Sequence, residues 1–238
     1  RVHPFWHPHS VVTGRLSCSS PQVQNVPDVR QDPDSLRSMY IAAPNNVLVA
    51  CDLEQVELRL VALLANDTAW LAAFSRGEDV HVLNARAYFP SEQTITKSLR
   101  SFAKNLTYMY LYAGQAEMAC TQMRRVRDAE SGRRPYAKMT LQEARESREK
   151  LLETHPLHAW WTESQSRFTT FGRLRSLVLG RERRFMDLKN AIDDSGLNEL
   201  VNFRIQSTVG DIMGGSKAVR LVLQEIPFGV FGPGIIHH

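Results

Sequence analysis

At 238 residues the chain is long enough for one large domain or two small ones with a proper core. A 43% hydrophobic and 23% charged composition excludes a disordered polymer, and no apolar run is long enough for a helical membrane span. The formal net charge of +4 permits a polyanionic partner without demanding one, and three scattered cysteines, Cys18, Cys51 and Cys120, exclude a fully paired disulfide scaffold and point to a reducing compartment. The chain opens without methionine, inside what reads as structured sequence, and is expected to be a piece of a longer polypeptide.

The opening segment from Arg1 to Ser10 holds His3, His7 and His9 among prolines, a pattern that favours irregular extended chain over a metal site. Thr13 to Pro27 is rich in turn formers and in amide and hydroxyl groups, so a polar loop is expected. Within it Arg15 offers a planar fork to phosphate, and Gln24 and Asn25 can donate to sugar or to base acceptors; the alternative is a solvated loop.

Val47 to Cys51 is an apolar, β-branched run that predicts a strand, and it ends at a single carboxylate, Asp52. The spacing then turns helical, with Val56, Leu60, Leu63 and Leu64 expected to share one face. Beside the Leu53 carbonyl, Asp52 makes a hard oxygen site of the kind Mg²⁺ takes together with substrate phosphates. Glu57 falls in the helix's first turn. Taken alone, the stretch reads more simply as Asp52 capping a helix, with Glu57 and Arg59 solvated.

A helical pattern through Trp70, Leu71 and Phe74 breaks at Gly77, and another begins near Asp79 with His81 in its first turn, where a histidine is ordinarily a cap or surface residue. From Leu99 to Gly114 a helix carries Arg100, Lys104 and Tyr108 at successive i, i+4 steps, and Tyr112 extends the row. Two cations followed by two aromatics make a poor core stripe, but they suit a triphosphate lying along the helix with a base stacked at its far end. Met123 to Lys150 is strongly charged and is expected to form solvated faces and loops, with contact to a DNA backbone as the minority reading. Beyond Pro156 a helix holds Trp160 and Trp161, and the basic run Gly180 to Phe185 falls in a hairpin or loop. Asn198 to Leu223 predicts a helix with Asn202 and Gln206 one turn apart, and residues 228–238 read as a turn entering a strand.

Four of these stretches, in this order, resemble the polymerase region of family A DNA polymerases, the bacterial DNA polymerase I and phage replicase family. Thr13-Gly14-Arg15-Leu16-Ser17 through Gln24-Asn25-Val26-Pro27 is similar to the family's TGRLSS…LQNIP, and Asp52-Leu53-Glu54-Gln55-Val56-Glu57-Leu58-Arg59 to DYSQIELR. Arg100, Lys104, Tyr108 and Tyr112 match RxxxKxxxFGxxYG, and Gln206-Ser207-Thr208-Val209-Gly210-Asp211-Ile212-Met213 is similar to QGTAADIM. The resemblance implies an α+β fold: a polymerase palm, an antiparallel sheet with helices, plus mainly helical fingers, truncated before the last palm strands. Residues 1–90 would be palm, 91–153 fingers, and 154–238 the remainder of the fingers returning to the palm.

The resemblance further implies that Asp52, with the Leu53 carbonyl, binds Mg²⁺ and that Lys104 joins Asp52 in catalysis. Leu53, Gln55, Glu57, His81, Arg100, Lys104 and Tyr108 would form the dNTP site, with Glu57 as the gate against a ribose 2′-hydroxyl. Arg15, Gln24, Asn25, Tyr112, Asn202 and Gln206 would touch primer-template DNA. Most cellular members carry phenylalanine at the Tyr108 position, which implies rejection of dideoxynucleotides. Departures are Leu53-Glu54 for Tyr-Ser, Met109 and Ala113 for two glycines, and an end at His238, one position before the family's second catalytic aspartate, so that the chain by itself is expected not to polymerise. The expected function is template-directed DNA synthesis by a monomeric, cytoplasmic or organellar catalytic unit with no membrane partner. The alternatives are a non-catalytic nucleic-acid-binding remnant and a single-subunit RNA polymerase.

Overall fold

Helical spacing governs most of the chain. The computed structural model describes residues 2–26, 36–48, 52–127, 132–134, 136–186, 188 and 193–215. It divides into two compact units, one of Arg1–Glu54, Arg175–Arg181 and Gln206–His238, the other of Gln55–Leu174 and Glu182–Ile205.

In the larger unit seven helices follow one another: α1 (Val56–Leu64), α2 (Thr68–Ser75), α3 (Val80–Tyr88), α4 (Lys97–Leu111), α5 (Ala116–Met123), α6 (Leu141–Thr154) and α7 (Leu157–Phe171). Four of the seven starts are written in the sequence as side-chain caps. Asp67, Asp79 and Thr96 each accept a backbone N–H as helix caps, and Thr140 with Glu143 forms a capping box. Trp70, Phe102, Leu106, Tyr110, Leu151 and Trp160 fill the core between these helices. Trp160 and Trp161 are both buried, as large aromatics in a helical core should be. The strands β1 (Phe5–His7) and β2 (Ser17–Ser19) pair antiparallel, and β3 (Arg173–Arg175) pairs with β4 (Glu182–Arg184), which makes the run at Gly180 a hairpin, one of the two forms expected for it. Among the described residues the last helix, α8, runs from Asp194 to Gly215. Helices with small antiparallel sheets make the fold α+β. No described helix is long and apolar enough to cross a membrane.

Four expectations need correction. The buried face of α1 is Leu58, Val61 and Ala62, while Leu63 is 63% exposed. The run Leu60 to Leu64 is apolar nearly all round, so two faces satisfy the same periodicity and packing partners select one. Asp52 does not cap α1, because the cap position belongs to Gln55, in the left-handed region at φ 51°. Val47 and Leu48 are exposed and lie in no strand, since a β-branched run forms one only where another strand pairs with it; residues 49–51 lie outside the described residues, as do Pro27, the chain beyond 215 and its closing turn-and-strand segment. The polar loop after Thr13 contains β2, whose alternation buries Cys18 between Ser17 and Ser19 and sets Ser19 Oγ 2.7 Å from His7 Nε2.

Helix α4 ends in a Schellman turn: the Gly114 amide donates to the Met109 carbonyl at 2.9 Å and the Ala113 amide to the Tyr110 carbonyl at 3.0 Å. Ala113 occupies the left-handed position at φ 61°, which ordinarily takes glycine. Ala113→Gly is expected to stabilise the fold by about 0.5 to 1 kcal/mol, the left-handed penalty less the added freedom of the unfolded chain. Gly114→Ala is expected to destabilise it, since a Cβ there would lie 2.6 Å from the Met109 carbonyl oxygen. Urea melts of the two variants check both signs.

Candidate functional site

The larger unit builds a polar site where the start of α3 meets the outer face of α4. Asp79 joins the two helices. Its Oδ1 accepts the His81 and Val82 amides at 2.9 and 3.3 Å, and its Oδ2 accepts Arg100 Nε at 2.5 Å. Burial pushes the Asp79 carboxyl up, but the Arg100 hydrogen bond and charge and the two amides outweigh it and hold it below its ordinary value. The tie runs through Nε, and among the described residues the terminal amino groups of the Arg100 fork are left for an outside oxyanion.

His81 is buried at 1% exposure, contrary to the surface position expected of it. The helix start is covered by α4, and the ring faces Tyr108, centroid to centroid 5.9 Å. Burial first, then the positive charges of Arg100 and Lys104, push its pKa down to about 4, against a smaller opposing pull from Asp79. The ring is therefore neutral at pH 7, and neither nitrogen has a hydrogen-bond partner among the described residues. A neutral buried imidazole beside two cations can give one hydrogen bond to an incoming anion. Lys104 is exposed, with Nζ 5.9 Å from the centre of the half-buried Tyr108 ring. Arg100, Lys104 and Tyr108 thus share one face as the helical spacing of α4 requires, and the packing of α3 on α4 brings His81 to them.

Beneath this row, Thr107 is fully buried and ties α4 to α3. It meets Asn84 Nδ2 and the Tyr88 hydroxyl, each at 3.0 Å. The far end of α4 is held by three other elements: Trp161 Nε1 donates to the Leu111 carbonyl at 3.3 Å, Asn198 Nδ2 to the Tyr112 carbonyl at 2.7 Å, and Arg148 Nε to the Gly114 carbonyl at 3.1 Å. Tyr112 follows the helix as its cap residue, and its hydroxyl donates to the Glu57 carboxylate. Glu57 is thus engaged within the protein, and Arg59 lies 4.3 Å from the Phe74 ring, so neither is simply solvated. Gln55 is half-buried, and Asn202 is exposed on α8.

In the smaller unit Asp52 and Leu53 are exposed in the turn leading toward α1. A carboxylate and a backbone carbonyl form an oxygen-only donor pair, which suits Mg²⁺. Among the described residues no three His, Cys, Asp or Glu side chains cluster around a metal position. The loop carrying Arg15 lies against α8 at Gly210, where a Cβ would come 2.7 Å from the Thr13 carbonyl oxygen, one turn beyond the half-buried Gln206. Gln24 Nε2 donates to the Leu16 carbonyl at 2.8 Å and so shapes its own loop, while Asn25 is exposed. The hairpin tip docks on the same helix: Leu179 N donates to Asp211 at 3.1 Å, and Arg181 Nε lies 3.4 Å from that carboxylate.

Reading the sequence for the site missed Asp79 as the partner of Arg100, and missed Asn198 and Arg181. Only Asp79 carried a local signal, a carboxylate two residues before His81 at a helix start. The other two depend on contacts that no short spacing encodes.

The family model described as DNA polymerase family A matches residues 1–218. DNA polymerase I of Chloroflexus aurantiacus is 27% identical over 216 residues, 90% of this chain and 21% of that protein. The thermostable DNA polymerase I of Thermus aquaticus is 27% identical over 220 residues, 90% of this chain and 24% of its own length, and the Aquifex aeolicus enzyme 28% over 222 residues, 90% and 34%. The chain therefore spans about a fifth to a third of the length of these relatives. A solved structure titled as the POL domain of Pol1 from M. smegmatis, in complex with DNA primer-template and dNTP, superposes with a TM-score of 0.72 at 23% identity, covering 90% of this chain and 36% of that one. The fold is shared. With the family model spanning the loop of Arg15, the turn of Asp52, the row along α4 and the whole of α8, this chain belongs to DNA polymerase family A.

Proposed function

We propose that the protein carrying this chain performs template-directed DNA synthesis, joining a deoxynucleotide to a primer 3′-hydroxyl. The observation that carries the reading is the row on α4: Arg100, Lys104 and Tyr108 on one face, with the neutral, buried His81 turned to Tyr108. Arg100 and Lys104 would hold the triphosphate charge, His81 would donate to a phosphate oxygen, and Tyr108 would stack on the nucleotide. Lys104 would neutralise charge developing on the leaving pyrophosphate. Asp52 and the Leu53 carbonyl would hold Mg²⁺, which when bound supplies Lewis-acid stabilisation of the attacking and leaving oxygens. Glu57, kept in place by the Tyr112 hydroxyl, would crowd a ribose 2′ position and select the deoxy sugar; Gln55 would border that site. Arg15, Gln24, Asn25, Tyr112, Asn202 and Gln206 would border primer-template DNA, and Asn25 and Asn202 are exposed to meet it. In this reading residues 1–90 are palm, 91–153 fingers, and 154–238 the return to the palm.

Primer extension by the polypeptide that carries this chain tests the reading, with Mg²⁺ and one nucleotide supplied at a time. Only the nucleotide complementary to the template is expected to be added, and Asp52→Asn is expected to lower the rate at least 100-fold, on the order of a lost charge-stabilising group. Extension independent of the template, or none with DNA still bound, sinks the polymerase reading. The second of these outcomes is the mark of a non-catalytic remnant.

A further inference from the structure

The segment Arg124 to Lys138, which joins α5 to α6, contains six cations and two carboxylates, an excess of four that equals the formal excess of the whole chain. Everything outside this loop is balanced in charge. Both ends of the loop are pinned to the core. Tyr136 stacks on Phe102 of α4, centroids 3.3 Å apart, and faces Phe89 at 6.1 Å. Met139 is buried, and its carbonyl accepts Arg124 Nε at 2.7 Å and Cys120 Sγ at 3.4 Å. Between these anchors Arg125, Arg127, Arg134 and Lys138 are exposed. Among the described residues Arg127 Nη1 reaches a backbone carbonyl, that of Gly132, at 3.3 Å. The cations are thus held outward on a fixed base. Phe102, which carries that base, lies two residues from Arg100, on a different face of α4 from the Arg100, Lys104 and Tyr108 row.

We propose that the exposed cations at the two described ends of this loop, Arg125, Arg127, Arg134 and Lys138, are a second, sequence-independent contact for the phosphate backbone of DNA, separate from the nucleotide row on α4. That the polyanion is DNA rests on the proposed function, whereas the patch itself does not. A surface that concentrates a chain's charge excess in one anchored loop binds by releasing counterions, so its signature is the dependence of affinity on salt.

Binding of a fluorescent primer-template by the full polypeptide between 50 and 200 mM salt tests this. Arg125→Ala, Arg134→Ala and Lys138→Ala combined are expected to weaken binding roughly tenfold or more and to lower the slope of log affinity against log salt by about 2 to 3, at 0.7 to 0.9 per lost contact. The charge-keeping set Arg125→Lys, Arg134→Lys and Lys138→Arg is expected to keep the wild-type slope. An unchanged slope and affinity in the alanine set overturns the proposal, as does an equal loss in the charge-keeping set, which would assign a structural role. Loss of heparin binding with DNA binding unchanged overturns it too. If the wild type fails template-directed extension while the salt-slope difference stands, the patch holds and the polymerase reading falls.

Discussion

Replacing Asp67 with alanine is expected to lower the unfolding free energy by about 2 to 5 kcal/mol, from a lost helix cap together with a buried His155 left without its hydrogen-bond partner. Asp67 is 1% exposed and uses both oxygens. Oδ1 accepts the Trp70 amide at 2.9 Å and so caps α2, and Oδ2 lies 2.5 Å from His155 Nδ1 at the turn between α6 and α7. The His155 ring stacks on Trp70 at 3.9 Å. Trp70 continues the line, donating from Nε1 to Asn84 at 3.3 Å, and Asn84 meets Thr107 beneath the α4 row. The pair therefore fastens the α6–α7 turn to the helices that carry the site. Asp67→Asn keeps an oxygen for the cap and is expected to cost less than Asp67→Ala. His155→Ala is expected to cost a similar amount to Asp67→Ala, and the double alanine variant less than the sum of the two, because each single change already breaks the pair. At about 2 to 4 °C per kcal/mol for a chain of this size, the Asp67→Ala melting point should fall by roughly 10 °C. A loss under about 1 kcal/mol in that variant would rule out the pair as a fastening.

On the proposed function, Tyr108→Phe is expected to change sugar selectivity in the polypeptide that carries this chain by about 1 to 3 kcal/mol, a factor of roughly 5 to 150 in kcat/KM for dideoxy relative to deoxy nucleotides. Tyr108 sits half-buried between Lys104 and His81, at the end of the row proposed for the triphosphate. A dideoxynucleotide lacks the 3′-hydroxyl, and a phenylalanine offers nothing to satisfy the group left unpaired. In the proposed function the tyrosine hydroxyl would supply that partner, so the wild type should accept dideoxy terminators almost as well as normal substrates. The variant should discriminate strongly. Equal selectivity in the two enzymes would mean that the hydroxyl only packs or meets water.

The order of motifs, the helices on both sides of Gly77, the Arg100 to Tyr108 row and the hairpin near Gly180 were all legible in the sequence. Each rests on spacing within one or two turns, on a cap such as Asp79 or Thr96, or on a breaker, and such signals act over a few residues. The row on α4 is the clearest case: an i, i+4 pattern places side chains on one face wherever the helix goes. Tertiary structure decided which apolar face of α1 is buried, because the run Leu60 to Leu64 satisfies two faces equally. It also decided that His81 lies under α4, and that Ser17 to Ser19 pairs with Phe5 to His7. The couplings that hold the site together are the least local: Tyr112 to Glu57 across 55 residues, Asn198 to Tyr112 across 86, and His155 to Asp67 across 88. No periodicity records such pairs, since each polar group has many possible partners of equal chemistry, and only the packing of distant helices makes one of them reachable and shields it from water.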